Sequence, residues 1–267
     1  MLVWSRSPRL VVWIAGAMLF AIVYGAPIAV IGLASVAGHW NGPLPSDLTF
    51  RHYAAALSGD SGGQLRVSLV TAFAASLVAL LVGTWAALAL RSLKPLPRRV
   101  FDLIFFMPSA VPSVSVGLGL LVAFSRPPVL LNGTTAIVLV AHFVLISAFT
   151  YGSIAAGLAR LPPDYEQVAE SLGARPLYRL RRVTLPLVLP YLVGAFSLSV
   201  ALSMGELGAT VMVYPPGWVT LPVGIFALTD RGEIFDGAAL TMLIVASTLV
   251  VLIVLSRISN RASSRHA

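Results

Sequence analysis

Arg160-Leu161-Pro162-Pro163-Asp164-Tyr165-Glu166-Gln167-Val168-Ala169-Glu170-Ser171-Leu172-Gly173-Ala174-Arg175-Pro176-Leu177-Tyr178-Arg179-Leu180-Arg181-Arg182 is a polar stretch between two long apolar runs. Its punctuation is that of a built element and not of a slack connection. Pro162 and Pro163 stop what precedes them, because a proline has no N–H for a helix ladder. Asp164 is placed to cap a new short helix, and Glu166 to sit near its positive N-terminal end. Tyr165, Val168, Ala169 and Leu172 recur at i, i+3, i+4 and i+7, which makes one apolar stripe. Gly173 is placed to end the helix and Pro176 to block its continuation. The expected object is a short amphipathic helix, Asp164–Leu172. A basic segment follows it, and then Leu185-Pro186 where the next apolar run begins. A rigid helix with a defined stop is something another protein can grip; an interfacial helix with its stripe in lipid would show the same pattern.

Outward from this stretch the chain is apolar. Of 267 residues, 58% are hydrophobic and 10% charged, against about 25% charged in an ordinary soluble domain. So few charges cannot cover the surface of a water-soluble particle. Cysteine is absent, which leaves no disulfide framework and no thiolate chemistry. A helix needs about 20 mostly apolar residues to cross a bilayer. Six runs qualify: Leu10–Val36, Val67–Leu90, Leu103–Phe124, Thr134–Leu158, Val183–Gly205 and Gly237–Ser256. None contains Asp, Glu, Lys or Arg. Their length favours helices over barrel strands, which are about 10 residues long with alternating polarity. The expected fold is therefore all-α, six transmembrane helices in a single domain over residues 1–267. The first run could be read as a signal peptide ending near Ser35-Val36-Ala37. It is longer than the roughly 7–15 residues of a signal h-region, so a retained span is expected.

The cations orient the chain. With an inside N-terminus, the inner segments hold Arg6, Arg9, Arg91, Lys94, Arg98, Arg99, Arg160, Arg175, Arg179, Arg181, Arg182, Arg257, Arg261 and Arg265, and the outer ones hold Arg51, Arg66, Arg126 and Arg231. Fourteen against four is a strong positive-inside bias, which puts both termini and the 160–182 loop in the cytoplasm. The net charge of +8 is then a matter of topology and of attraction to anionic lipid heads, and nucleic acid is not an expected partner.

Other segments carry weaker signals. Leu48–Leu57, in the outer stretch Ala37–Arg66, could form a short helix on the membrane. Met107-Pro108-Ser109-Ala110-Val111-Pro112-Ser113 places two prolines inside the third span, which frees backbone carbonyls and kinks the helix. That kink is either a packing feature or part of a solute pathway. Ser113, Ser115, Ser199, Ser203 and Thr210 could line such a pathway with hydroxyls. Glu206, an ionisable residue at the outer end of the fifth span, is either a carboxylate at the headgroup level or paired with a neighbouring helix, or a part of the pathway or its gate. His142 lies inside the fourth span, as a packing group or a pathway one. His39, His52, His142 and His266 have no metal-ligand spacing, so no metal site is expected. No nucleophile–base pair or carboxylate pair occurs at membrane depth, which argues against an intramembrane enzyme. A secondary carrier remains an alternative. No internal repeat is evident, so a central pathway would need a second chain.

The 160–182 loop resembles the EAA loop in membrane subunits of binding-protein-dependent ABC importers. That pattern is Glu-Ala-Ala, three residues, Gly, nine residues, then Ile-x-Leu-Pro. Gly173 matches the glycine, Val183 replaces the isoleucine, and Leu185-Pro186 match the end. Gln167-Val168-Ala169 occupy the Glu-Ala-Ala positions, with Glu166 one place early. Met107–Pro112, Gly133–Leu161 and Gly205-Glu206-Leu207-Gly208-Ala209-Thr210 are similar to the branch of molybdate, sulfate, ferric-ion and 2-aminoethylphosphonate permeases. Pro215-Pro216-Gly217-Trp218-Val219-Thr220-Leu221-Pro222 and Leu228-Thr229-Asp230-Arg231-Gly232 are most similar to the phosphonate members.

The resemblance implies a type I importer permease in a bacterial inner membrane that moves a small solute, 2-aminoethylphosphonate or another ion of that branch, by alternating access. It implies as partners two cytoplasmic ATPase subunits, a second permease, related or identical, and a periplasmic binding protein. It makes Asp164, Glu166, Gln167, Ala169, Glu170, Leu172, Gly173 and Ala174 the ATPase-coupling residues. The chain has no Gly-x-x-x-x-Gly-Lys-Ser/Thr loop, so ATP with Mg is expected in the partner subunits and no cofactor on this chain.

Overall fold

A computed structural model describes residues 6–58 and 60–263; Arg265 and His266 lie outside the described residues. The described residues are overwhelmingly helical, without a named strand. In chain order the helices are α1 (Arg6–Phe20), α2 (Ala26–Ala34), α3 (Arg51–Ser58), α4 (Asp60–Leu90), α5 (Pro95–Phe106), α6 (Ser113–Ala123), α7 (Thr135–Ala159), α8 (Asp164–Ser171), α9 (Pro176–Arg179), α10 (Leu185–Met204), α11 (Thr210–Val213), α12 (Leu221–Asp230) and α13 (Ile234–Ser263). A π turn over Ala21–Gly25 joins α1 to α2, and another over Leu180–Thr184 joins α9 to α10.

Among the described residues, five helical stretches are long and apolar enough to cross a membrane: Arg9–Ala34, Ser61–Leu90, Thr135–Ala159, Pro176–Met204 and Ile234–Arg257. The expected third span, Leu103–Phe124, is not one straight helix. Pro95–Ala110 and Ser113–Ala123 are bent by 105° at the break, and counted as one span the pair brings the number of candidate spans to six. The cause is local. Pro112 disfavours helical geometry at the residue before it, and Val111 is extended (φ −105°, ψ 136°). Pro108 and Pro112 have no N–H to return to the carbonyls one turn back.

Two other expectations change. The second span begins well before Val67, with Arg66 inside α4. The fifth runs back through the π turn to Pro176, so the basic segment is helix. The wide turn sits directly before Leu185-Pro186, where Pro186 cannot hydrogen-bond the Arg182 carbonyl. The short helix expected at Leu48–Leu57 is α3.

The chain packs as two units. The first contains the residues up to Gly62 and Gly224–Leu243. Within it α1 and α2 present their apolar side chains outward from Leu10 to Val30. His39 and Ser46 pair in an isolated antiparallel bridge. Buried His52 on α3 bonds through Nδ1 to Asp236 Oδ1 at 2.7 Å and through Nε2 to the Ala37 carbonyl at 3.1 Å.

The second unit contains Gly63–Val223 and the residues from Ile244 on. Its centre is the α7–α10 pair. Tyr151, Ile154 and Leu158 of α7 pack with Val188 and Ala195 of α10 and with Ala87 and Leu90 of α4. Gly157 lets the two backbones close, because a Cβ there would stand 2.5 Å from Tyr191 Cγ. Asp102 of α5 accepts the Tyr151 hydroxyl, and Phe105 stacks on the same ring at 4.5 Å. The segment before α12 is stitched to α4: Trp218 Nε1 donates to Thr71 Oγ1 at 2.9 Å, and the Leu221 N–H to Ser68 Oγ at 2.7 Å.

Candidate functional site

Two places in the second unit concentrate polar groups. The first is the segment 160–182. Its helix α8 ends as the sequence predicts. Gly173 takes φ +81°, a left-handed conformation that only glycine adopts without steric cost. The Gly173 N–H donates to the Glu170 carbonyl at 2.9 Å and the Ala174 N–H to the Ala169 carbonyl at 3.0 Å. These two bonds make a Schellman motif, which closes the orphan carbonyls of the last turn. Pro176 then opens α9. At the other end there is a correction: Asp164 is the first helical residue, and no side chain caps the helix. The reason is that Pro163 already has helical backbone geometry, so Asp164 lies one position too far in. It and Glu166 still lie in the first turn, where negative charge is favoured.

Glu166 carries most of the polar bonding here. Arg91, just beyond the C-terminal end of α4, donates through Nη2 to Glu166 Oε2 at 2.5 Å. Thr184, in the π turn, donates through Oγ1 to Glu166 Oε1 at 2.5 Å. Only 17% of the Glu166 side chain is exposed. Burial alone would push its carboxyl up. The Thr184 hydroxyl and the Arg91 guanidinium, with Arg179 further off, outweigh burial and hold it below the usual carboxylate range. Glu170 is 70% exposed and pairs with Arg179 at 2.6 Å, which bridges α8 to α9 across the glycine turn. Helix α8 is thus clamped to the end of α4 and to the foot of α10.

The clamp leaves the apolar stripe free. Tyr165, Val168 and Leu172 are exposed, Leu172 by 83%. Beside them Ala169, Leu172, Gly173, Ala174, Arg175 and Tyr178 line an open groove. Gln167 lies on the exposed face. Neither Arg91 nor Thr184 stood out in the sequence. The available signal was a carboxylate on a short helix flanked by span ends that carry cations and hydroxyls.

The second place is a cavity of about 160 Å³ beside the broken helix. Pro108, Ser109 and Val111 form one wall, and His142, Leu145, Ile146 and Phe149 of α7 form another. Leu202 and Glu206 complete it. Glu206 Oε1 accepts the Ala209 N–H at 2.7 Å. His142 is fully engaged, with Nδ1 2.6 Å from Ser203 Oγ and Nε2 2.9 Å from Thr210 Oγ1. Thr210 donates its proton to the Glu206 carbonyl at 3.4 Å. The chain of donors ties α7, α10 and α11 together next to the cavity.

The pathway candidates thus separate. Glu206 lines the cavity, and Ser203 and Thr210 stand behind it, holding His142. Ser199 is fully buried, bonding to Thr150 Oγ1 at 2.6 Å and to the Ala195 carbonyl at 2.7 Å. Ser113 abuts Gly208, where a Cβ would stand far inside contact distance of its Oγ. Ser115 is exposed on α6. His142, which sequence reasoning left between packing and pathway, bonds to Ser203 and Thr210 and also lines the cavity.

Comparison with known proteins gives a consistent result. Residues 65–267 match the family model of the binding-protein-dependent transport system inner membrane component. A Salmonella paratyphi A protein, provisionally named 2-aminoethylphosphonate transport system permease protein PhnV, is 54% identical over 265 residues, covering 99% of this chain and 100% of that one. The molybdenum transport system permease protein ModB of Mycobacterium bovis is 34% identical over 217 residues, covering 76% of this chain and 81% of that one. A chain in the crystal structure of a bacterial alginate ABC transporter, in complex with an alginate pentasaccharide-bound periplasmic protein, has a TM-score of 0.75 at 16% identity, covering 96% of this chain and 95% of that one.

Proposed function

The chain belongs to the family of binding-protein-dependent transport system inner membrane components, and from that premise we propose that it is one half of the membrane pathway of an ATP-driven importer for 2-aminoethylphosphonate. Its role is that of a permease subunit and not of an enzyme. It works as one six-helix permease domain in a bacterial inner membrane, with both termini in the cytoplasm. A second permease completes the pathway, two cytoplasmic ATPase subunits drive it, and a periplasmic binding protein delivers the solute.

The observation that carries this reading is the clamped helix α8. Its stripe of Tyr165, Val168 and Leu172 is exposed, while its base is fixed to α4 through Arg91 and to α10 through Thr184. A partner that grips the stripe therefore moves two spans and not a loose loop. ATPase closure would draw the two permeases' α8 helices together and exchange inward-open for outward-open states. Such an exchange needs only that the nucleotide-bound partner bind one state better than the other.

The substrate assignment rests on the 54% identity over nearly the whole chain to the phosphonate relative; the molybdenum relative covers less of the chain at 34%. Deletion of the gene should abolish uptake of labelled 2-aminoethylphosphonate in the source cell, and restoring the wild-type chain should recover it. Unchanged phosphonate uptake, with loss of molybdate, sulfate or ferric-ion uptake instead, would overturn the assignment.

A further inference from the structure

We propose that the cavity between the broken α5–α6 helix, α7 and Glu206 is a solute site that reads the ammonium group of a zwitterionic substrate. The proposal deepens the phosphonate reading and rests on it.

The cavity offers acceptors and almost no donors. Ser109 spends its proton on the Phe106 carbonyl at 2.7 Å, which leaves its lone pairs. His142 has both ring nitrogens committed to Ser203 and Thr210. No lysine or arginine is among the lining residues. An isolated oxyanion placed here would lose its water and find no cation, a heavy penalty. An ammonium group meets the opposite situation. It has three protons to place, and the wall supplies a carboxylate.

That carboxylate is held ready. Glu206 Oε1 is fixed by the Ala209 N–H, and the Glu206 carbonyl by the Thr210 hydroxyl, which His142 in turn orients. Among the described residues nothing hydrogen-bonds Glu206 Oε2. One carboxylate oxygen is thus committed to positioning and the other is available for a charge-assisted bond. Leu145, Ile146, Phe149 and Leu202 give the cavity apolar walls, and a less polar surrounding strengthens such a bond. The volume of about 160 Å³ suits a solute of a few heavy atoms, since a cavity of about 150 Å³ accepts benzene. The anionic end of the solute lies away from Glu206, toward the mouth of the cavity. Glu206 then makes this half of the pathway selective for aminated solutes after the binding protein has released them.

The natural chain has no cysteine, so a single Ser109→Cys gives a unique probe, with Val111→Cys on the same wall as the second. In proteoliposomes holding the assembled transporter, alkylation of the probe is followed on this chain by mass spectrometry. Free 2-aminoethylphosphonate should slow alkylation, and ethylphosphonate, which lacks the amine, should not. Adding Glu206→Gln keeps an oxygen for the Ala209 N–H but removes the charge, and should raise the half-protecting concentration roughly tenfold or more. Equal protection by ethylphosphonate, or protection unaffected by Glu206→Gln, would overturn the proposal. Absence of protection in liposomes that do import 2-aminoethylphosphonate would overturn it while leaving the function intact. Absence of both import and protection would overturn the two together.

Discussion

Arg91 donates to Glu166 across 2.5 Å, although 75 residues separate them in the chain. This bond ties the end of one span to the helix proposed to receive mechanical work. With Thr184 on the other carboxylate oxygen, it makes Glu166 a three-way junction. The Arg91 side chain is 34% exposed, so screening reduces the pair to about 1 kcal/mol. Arg91→Ala and Glu166→Gln should each lower binding-protein-stimulated ATPase activity about fivefold at that strength. The double variant should be little worse than either single one, since both remove the same bond. A double variant whose loss is the product of the two would show that the residues act independently.

The junction also sets a pH dependence. The Glu166 carboxyl is held below its ordinary value of 4.5 by Thr184 and Arg91, against the opposing effect of burial. A depressed folded-state value means that the unfolded chain takes up the proton first. The stabilisation is therefore complete above the ordinary value and is lost as pH falls below it. Thermal unfolding of the purified protein in detergent should show an acid loss that Glu166→Gln reduces. Identical acid profiles for the two proteins would remove Glu166 from the account.

Gly173 has open space around the position of a Cβ, so steric contact does not decide its substitutions. Its φ of +81° does. Gly173→Ala should weaken the end of α8 by about 1 kcal/mol, and Gly173→Asn by less, because asparagine tolerates the left-handed region. Transport coupling should fall in the order glycine, asparagine, alanine, valine. Alanine performing as well as glycine would contradict the Schellman ending.

Gly157 presents the opposite case. It has no special backbone angle, yet a Cβ would stand 2.5 Å from Tyr191 Cγ and 2.7 Å from Tyr191 Cβ. Gly157→Ala should force α7 and α10 apart at a cost of about 1–3 kcal/mol, read as a lowered melting temperature. Combining it with Tyr191→Ala should recover part of the loss, and no recovery would place the strain elsewhere.

Much of the fold was legible because its signal is local. Six uncharged runs needed no tertiary information, and Gly173 with Pro176 announced the end of α8 directly. Pro108 and Pro112 announced a kink, but not its size. The bend of 105° depends on Val111 adopting extended geometry, which the sequence only favours. Asp164 read as a cap because nothing in the sequence showed that Pro163 would already be helical. The site was less legible because its bonds join distant positions. Arg91 with Glu166, His142 with Ser203 and Thr210, and Thr150 with Ser199 are 49 to 75 residues apart. Residue type alone marked serines and threonines as pathway candidates. Hydroxyls inside a helical bundle also satisfy other buried polar groups: Ser199 pairs with Thr150 and Ser203 with His142 here.

The central claim is that movement of α8 by an ATP-driven partner opens and closes this half of the pathway. The most direct measurement is 2-aminoethylphosphonate uptake into proteoliposomes holding the full complex, with ATP on the ATPase side and loaded binding protein on the other. Uptake should require both, and should vanish with Gly173→Pro while the assembled complex persists. Uptake that continues without the ATPase subunits, driven by an ion gradient, would contradict the account.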